Sequence, residues 1–253
     1  MATYFTNFSE FVLNPPYGFV YYAADWSYRY NAAWSYDDKI QNDGDLGGQC
    51  LWLDEPYSSY FLSYDGLGTN ADVDILAKAR TLSWSDRESI RLFARGTQTG
   101  AAATAQYYYC ELDKYYGRVK IFKVVPGVYP ATQIGLGNFW FNINAWVWLR
   151  FRIIGNSLKA KVWRGSAEPV AWHIDITDSD IGGAGWAGLG GSNNDSADFD
   201  YFSIGTGGDI APDPIPPCLA TVDLLSPTLL VFNLKSKSTY PTSIEPMVWP
   251  MNF

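Results

Sequence analysis

The sequence predicts an all-β chain folded as a sandwich of two antiparallel sheets, and three observations carry that prediction. Roughly a dozen short runs alternate apolar and polar residues along positions 1–208, separated by turn signals. Aromatic residues make up 17% of the chain and are spread along it, which suits pleated, half-buried surfaces. No segment before residue 208 carries the apolar stripe of an amphipathic helix.

Taken in order, TYFTNFSEF reads as a short strand that ends at the turn residues Asn14, Pro15, Pro16 and Gly18. Residues 21–36 are dense in aromatics without a helical period and read as strand and loop. QNDGDLGG, 41–48, is a turn cluster, and GQCLWL after it is a buried strand. DVDILAKAR, 72–80, puts Val73, Ile75, Ala77 and Ala79 on one face and Asp72, Asp74, Lys78 and Arg80 on the other. ESIRLFARG follows a short loop and reads as its antiparallel neighbour. QYYYCEL and RVKIFKVV form a second hairpin across residues 113–117, and PGVYPATQIGLGN is a long loop. AWHIDITDSDIGGAGWAGLGG holds a strand, a turn and a Gly-rich strand, and ADFDYFSIG closes the series.

The most tightly specified element is AWVWLRFRIIGNSLKAKVWRG, 145–165, where Gly155-Asn156 sits between two alternating runs, a hairpin signal. A turn there sets Ile153 opposite Leu158, Phe151 opposite Ala160 and Leu149 opposite Val162 on one apolar face. The other face pairs Arg152 with Lys159, Arg150 with Lys161 and Trp148 with Trp163. Like charges directly opposite one another repel, so this face needs carboxylates or an outside partner. Asp72, Asp74 and Glu88 are the candidates.

A chain of 253 residues can bury a sizeable core, and a formal net charge of -8 excludes a general nucleic-acid or anionic-membrane binder. Cys50, Cys110 and Cys218 are too few and too scattered for a disulfide scaffold or a zinc site, and read as small buried residues. No signal peptide is visible at the N-terminus, which implies synthesis in a cytosol. No stretch approaches the roughly 20 apolar residues that span a bilayer. Composition changes at GTGGDIAPDPIPP, so the chain divides into a domain at 1–208, a Pro-rich linker at 209–217 and a tail at 218–253. The tail is too short to bury a core of its own. Its apolar residues Leu224, Leu225, Leu229, Leu230, Phe232 and Trp249 are expected to attach to a partner or to a second copy of the chain.

The order FTNFSEF, DVDILAKAR, RLFARG, QYYY, NAWVWLRFRIIGNSLKAKVWRGSAEPVAW, AGWAGLGG and DFDYFSIGTGGDIAP resembles the concanavalin A-like lectin/glucanase domains of bacteriophage virion proteins. The likeness covers residues 1 to about 210, and 145–172 is its most specific part. It implies a jelly-roll β-sandwich with an extended Pro-rich C-terminal tail. The expected role is a non-enzymatic virion structural protein, homo-oligomeric and contacting other virion proteins. The alternative is a carbohydrate-binding module that adheres to host-surface glycans.

Glucanases of this fold carry Glu-x-Asp-x-x-Glu on one strand. Glu111-Leu-Asp113-Lys-Tyr-Tyr116 approaches that pattern, but Tyr116 stands where the third carboxylate is required, so no catalytic residue is assigned. His173, the single histidine, lies in AWHIDIT without a nucleophile motif and reads as structural. Gly183, Gly185 and Gly188 match GxGxxG, but no helix follows to bind a pyrophosphate, so the glycines serve strand packing. No cofactor is expected. A structural calcium ion on Asp198, Asp200 and Asn7 is the one metal the resemblance suggests. The candidate glycan face is Trp148, Arg150, Arg152, Lys159, Lys161 and Trp163, with rings to stack on sugars and cations to hold hydroxyls. The competing reading is that other chain covers this face and pairs its cations, which the two-faced packing of a sandwich favours.

Overall fold

The structure is a computed structural model that describes residues 2–11, 13, 19, 23–29, 38–46, 48–55, 60–82, 89–97, 104–128, 130–191 and 195–214. Glu88, Cys218 and the tail residues Leu224, Leu225, Leu229, Leu230, Phe232 and Trp249 lie outside them. In chain order the strands are β1 (Thr3–Thr6), β2 (Trp26–Tyr28), β3 (Lys39–Gln41), β4 (Cys50–Glu55), β5 (Tyr60–Tyr64), β6 (Val73–Thr81), β7 (Ser89–Gly96) and β8 (Tyr107–Asp113). They continue with β9 (Arg118–Val124), β10 (Thr132–Asn138), β11 (Val147–Ile154), β12 (Ser157–Trp163), β13 (Ile174–Thr177), β14 (Trp186–Gly191) and β15 (Asp195–Thr206).

The strands form two antiparallel sheets, a jelly-roll sandwich. The first runs β13-β12-β11-β6-β15-β4-β3, with β1 also paired to β15, and the second runs β10-β9-β8-β7-β14-β5-β2. The hairpin at Gly155 has the register its alternation dictates, from Ile153 opposite Leu158 to Trp148 opposite Trp163. Gly155 takes a φ of 54°, the left-handed turn geometry that a residue without Cβ adopts freely. Its apolar face, Leu149, Phe151, Ile153, Leu158, Ala160 and Val162, is buried with Val73, Ile75, Ala77 and Ala79 of β6. From the second sheet, Ile90, Leu92, Cys110, Leu112, Val119 and Ile121 close the core. Each large apolar side chain fully buried here contributes about 1.5–3 kcal/mol relative to exposure.

Two sequence expectations need correction. The run 88–96 is not the sheet neighbour of 72–80: β6 pairs β11 and β15, whereas β7 pairs β8 and β14. The chain crosses from one sheet to the other between them, and both strands alternate because each faces the same core. The loop expected at PGVYPATQIGLGN contains β10, paired with β9. Gly135 and Gly137 hid it: a Cβ on Gly135 would sit 2.7 Å from Ile174 and one on Gly137 3.0 Å from His173. The missing side chains let this edge close against β13.

β15 explains why its alternation slips. Its register against β6 shifts between Phe199 and Tyr201, so Asp200 is an extra residue. On its other edge, residues Asp195 to Phe199 pair with β4, and Phe202 to Gly205 pair with β1. The bulge sits where the strand changes partner. Chain expected to be linker also belongs to the fold, since Ala211 is buried and the Pro212 carbonyl accepts hydrogen bonds from Tyr201 Oη and Ser203 Oγ, both 2.7 Å.

Candidate functional site

The outer face of the first sheet holds the six residues that the hairpin pattern singled out. Trp148 and Trp163 stack at 6.0 Å and are only 8% and 7% exposed, packed with Leu76, Tyr201 and Ala211. Arg150 is buried and reaches Asp213 at 2.9 Å, Glu168 at 3.4 Å and Asp74 at 3.8 Å. Lys161 meets Glu168 at 2.5 Å, donates to the Pro169 carbonyl at 2.9 Å and lies 4.3 Å from the Trp172 ring. Lys159 pairs with Asp175 at 2.8 Å, and Arg152 stands opposite Asp74 in the ladder, both cations half-buried. The face offered as a sugar platform is roofed by 166–172 and 209–213. Asp72 serves elsewhere, accepting from the Gly155 amide at 2.8 Å. Asp175, Glu168 and Asp213, which neutralise the face beside Asp74, belong to chain that alternation did not point to.

Further along the same face, Asp198 meets Arg80 at 2.6 Å. Asp200 accepts from the Leu46 amide at 3.0 Å and meets Lys78 at 3.2 Å. Lys78 and Arg80 also pair with Asp45 and Asp43 of the 41–48 turn, and Trp146 lies over both cations. Asn7 turns its side-chain oxygen to Ser9. Asp198 and Asp200 are thus matched to cations of the chain, and Asn7 is engaged within its own turn, an arrangement that does not fit a calcium cradle. No group of three or more His, Cys, Asp or Glu side chains that could hold a metal occurs among the described residues. Cys50, on this face, is buried, and desolvation pushes its thiol up to about 12, so it carries no reactive thiolate at neutral pH.

The second sheet carries a different arrangement on its outer face. Phe61, Phe93, Tyr107 and Tyr109 form a buried aromatic layer, with Phe122 stacked on Tyr109 at 4.8 Å. Beside it lies a charged row. Glu111 accepts from Arg91 Nε at 2.9 Å and Nη2 at 2.6 Å, and Lys120 stands 3.6 Å from Glu111 while also bonding Asp113. Asp113 accepts from the Tyr116 amide at 3.1 Å, closing the turn. The two carboxylates of the glucanase-like pattern therefore project together from β8, each engaged by a cation.

At the end of this face the rings become accessible. Tyr115 and Tyr116, both 51% exposed, meet edge to face at 4.7 Å in the β8–β9 turn. Trp140, just after β10, is 66% exposed, and its indole lies on Gly117. Gly117 is required twice: its φ is 58°, and a Cβ there would stand 2.3 Å from the Trp140 ring. The Phe139 amide donates to the Gly117 carbonyl at 2.8 Å, fixing the two segments together. Arg118 lies 5.2 Å from the Tyr116 ring and Lys120 5.6 Å. Sequence reasoning missed this cluster because Trp140 falls between the expected loop and the hairpin, where its one local signal is the aromatic run Phe139-Trp140-Phe141.

The other motifs are structural. His173 Nδ1 accepts from the Val162 amide at 3.3 Å, and burial lowers its pKa, so the ring is neutral. Of the GxGxxG glycines, Gly185 and Gly188 allow close packing: a Cβ would fall 2.4 Å from Arg95 backbone and 1.8 Å from the Leu62 carbonyl oxygen.

No family model matches the chain, and neither does any curated protein sequence. Solved structures do resemble it. The carbohydrate-binding module CBM66 from Bacillus subtilis is similar at 18% identity, covering 69% of this chain and 91% of that one with a TM-score of 0.50. The exoplasmic/lumenal domain of VIP36, in a form bound to Ca2+ and Man3GlcNAc, aligns at 13% identity over 81% of this chain and 90% of that one, with a TM-score of 0.49. At this identity the likeness to CBM66 is one of fold alone.

Proposed function

We propose that this chain is a non-catalytic carbohydrate-binding module whose platform is Trp140 with Tyr115 and Tyr116. The observation that carries the reading is the accessibility of these three rings around Gly117, whereas the other clustered aromatics among the described residues are mostly buried. Exposed apolar surface gathered in one place marks a binding site. Aromatic rings offer flat apolar faces to the C–H faces of sugars, while Arg118 and Lys120 supply polar groups beside them. The fold shared with CBM66 supports the reading. Catalysis is not proposed, because a glycosidase needs a carboxylic acid beside the scissile bond. Glu111 and Asp113 face arginine and lysine, and Tyr116 takes the third place.

Trp140→Ala is expected to abolish binding on a glycan array while leaving the melting temperature within a few degrees of the parent. Gly117→Ala should lower affinity as well, by displacing the indole. Binding unchanged in both variants would refute the platform.

A second reading places the module on a phage particle, anchored by residues 218–253 through other virion proteins or a second copy. It draws on the sequence resemblance and on the apolar, Pro-punctuated tail. Because Ala211 to Asp213 pack on the first sheet, the informative truncation follows Pro214. That variant should fold, lose self-association in sedimentation and fail to enter particles; normal incorporation would sink this reading.

A further inference from the structure

We infer that the Trp140 platform takes an acidic saccharide, one whose sugars carry carboxylate or sulfate groups; this rests on the carbohydrate-binding reading above. The observation behind it is where arginines stand unpaired among the described residues. Acidic residues outnumber basic ones 26 to 18, and most described cations stand within 4 Å of a carboxylate. Three described arginines do not: Arg152, which faces Asp74 across the β11–β6 ladder, and Arg118 and Arg164, which both lie at Trp140. Arg118 follows Gly117, on which the indole rests, and it faces Asp113 across the β8–β9 ladder. Asp113 instead bonds Lys120 and the Tyr116 amide and makes no ion pair with Arg118. Arg164 donates to the carbonyl of Trp140 itself.

Each guanidinium also lies near a ring, Arg118 at 5.2 Å from Tyr116 and Arg164 at 5.6 Å from Phe139. A ring fixes such a group through its π-face and leaves in-plane N–H donors for an acceptor. Both residues are exposed. Two ring-supported, ion-pair-free arginines beside three accessible aromatic rings match a ligand with a flat apolar face and an anionic substituent. A carboxylate or a sulfate accepts the paired N–H donors of arginine, whereas a neutral hydroxyl leaves that charge uncompensated. A nucleic acid fits poorly, because its phosphate backbone needs a long basic track and the surrounding chain is acidic.

The test uses the full-length protein on an array of neutral, uronate-bearing, sialylated and sulfated saccharides. The strongest hit is then titrated calorimetrically at low and high NaCl with the parent, Arg118→Gln, Arg164→Gln and Trp140→Ala. The expected result is binding confined to acidic saccharides, weakened by salt, reduced about tenfold by each arginine substitution and lost with Trp140→Ala. Carboxylate-bearing against sulfated hits will separate the two anions. Hits on neutral saccharides that need Trp140 but ignore both arginines and salt would overturn the acidic class and leave the platform standing. Acidic hits that survive both arginine substitutions would overturn it equally. Blank spots for every saccharide would overturn the platform together with the inference.

Discussion

Arg95→Met is expected to lower the unfolding free energy by about 3–5 kcal/mol, read as a lower urea midpoint with an unchanged slope. Arg95 is 1% exposed and donates to three carbonyls: Ala71 at 2.7 Å, Gly155 at 2.6 Å and Ile181 at 2.5 Å. Those oxygens belong to the entry to β6, the β11–β12 turn and the chain before β14, so one side chain ties both sheets together. Its backbone is bent to do so. Arg95 has a φ of 56°, and the register of β14 against β7 slips between Trp186 and Gly188. That bulge turns the guanidinium inward. Burial lowers its pKa, a cost that the three carbonyls and Asp72, at 3.7 Å, offset. Methionine keeps the stem and the packing but donates nothing. Arg95→Lys should recover part of the loss, since one ammonium cannot span three acceptors so placed. A urea midpoint equal to the parent's in the methionine variant would show that water replaces the guanidinium.

Arg95 also shows where the reach of the sequence ends. Local rules gave the Gly155 hairpin residue by residue, and gave the split of β6 between core face and charged face, because alternation and turn chemistry act over a few residues. The same rules could not tell which alternating strands share a sheet. β6 and β7 are consecutive and similar in pattern, yet they face each other across the core. Nor could they show that Trp148 and Trp163 lie beneath Ala211 while Trp140 lies open. That difference depends on chain far away in sequence, on Gly117 removing a Cβ at the right place, and on carboxylates such as Asp213 in a segment that composition marks as linker. A cationic face with two tryptophans looks like a ligand site in sequence. In the fold it is a seam whose cations are mostly ion-paired within the chain, and the accessible rings sit in the β8–β9 turn and just after β10, with no alternation to single them out.

The seam has a measurable consequence: the protein should melt several degrees higher at pH 5 than at pH 7.5, and Asp74→Asn should remove much of that difference. Asp74 is fully buried, and among the described residues no hydrogen bond of normal geometry reaches either carboxylate oxygen. Desolvation is the largest influence and raises its pKa from 3.8 to about 6, against the pull of Arg150, Arg152 and the nearby Ala211 amide; Glu168 pushes the same way as burial. Asp198 is raised to about 6 chiefly by burial, although Arg80 bonds it, and burial raises Asp200 as well. A carboxyl whose folded pKa lies above its unfolded value binds more protons in the native state between the two. Stability therefore rises as pH falls through about 6 and levels off below about 4. His173 opposes this, since burial lowers its pKa and the unfolded chain takes up that proton first. Between pH 7.5 and pH 5 Asp74 and Asp198 each contribute about 1.4 kcal/mol, together more than the roughly 2 kcal/mol that one histidine can remove. The amide that Asp74→Asn introduces cannot ionise, so that variant should be more stable than the parent by about 3 kcal/mol at pH 7.5, a gap that narrows to about 1.5 kcal/mol at pH 5 and closes only below about pH 4. Loss of stability at pH 7.5 would mean that attraction to Arg150 and Arg152 exceeds the cost of burying the carboxylate, and would reverse the sign assigned to this group.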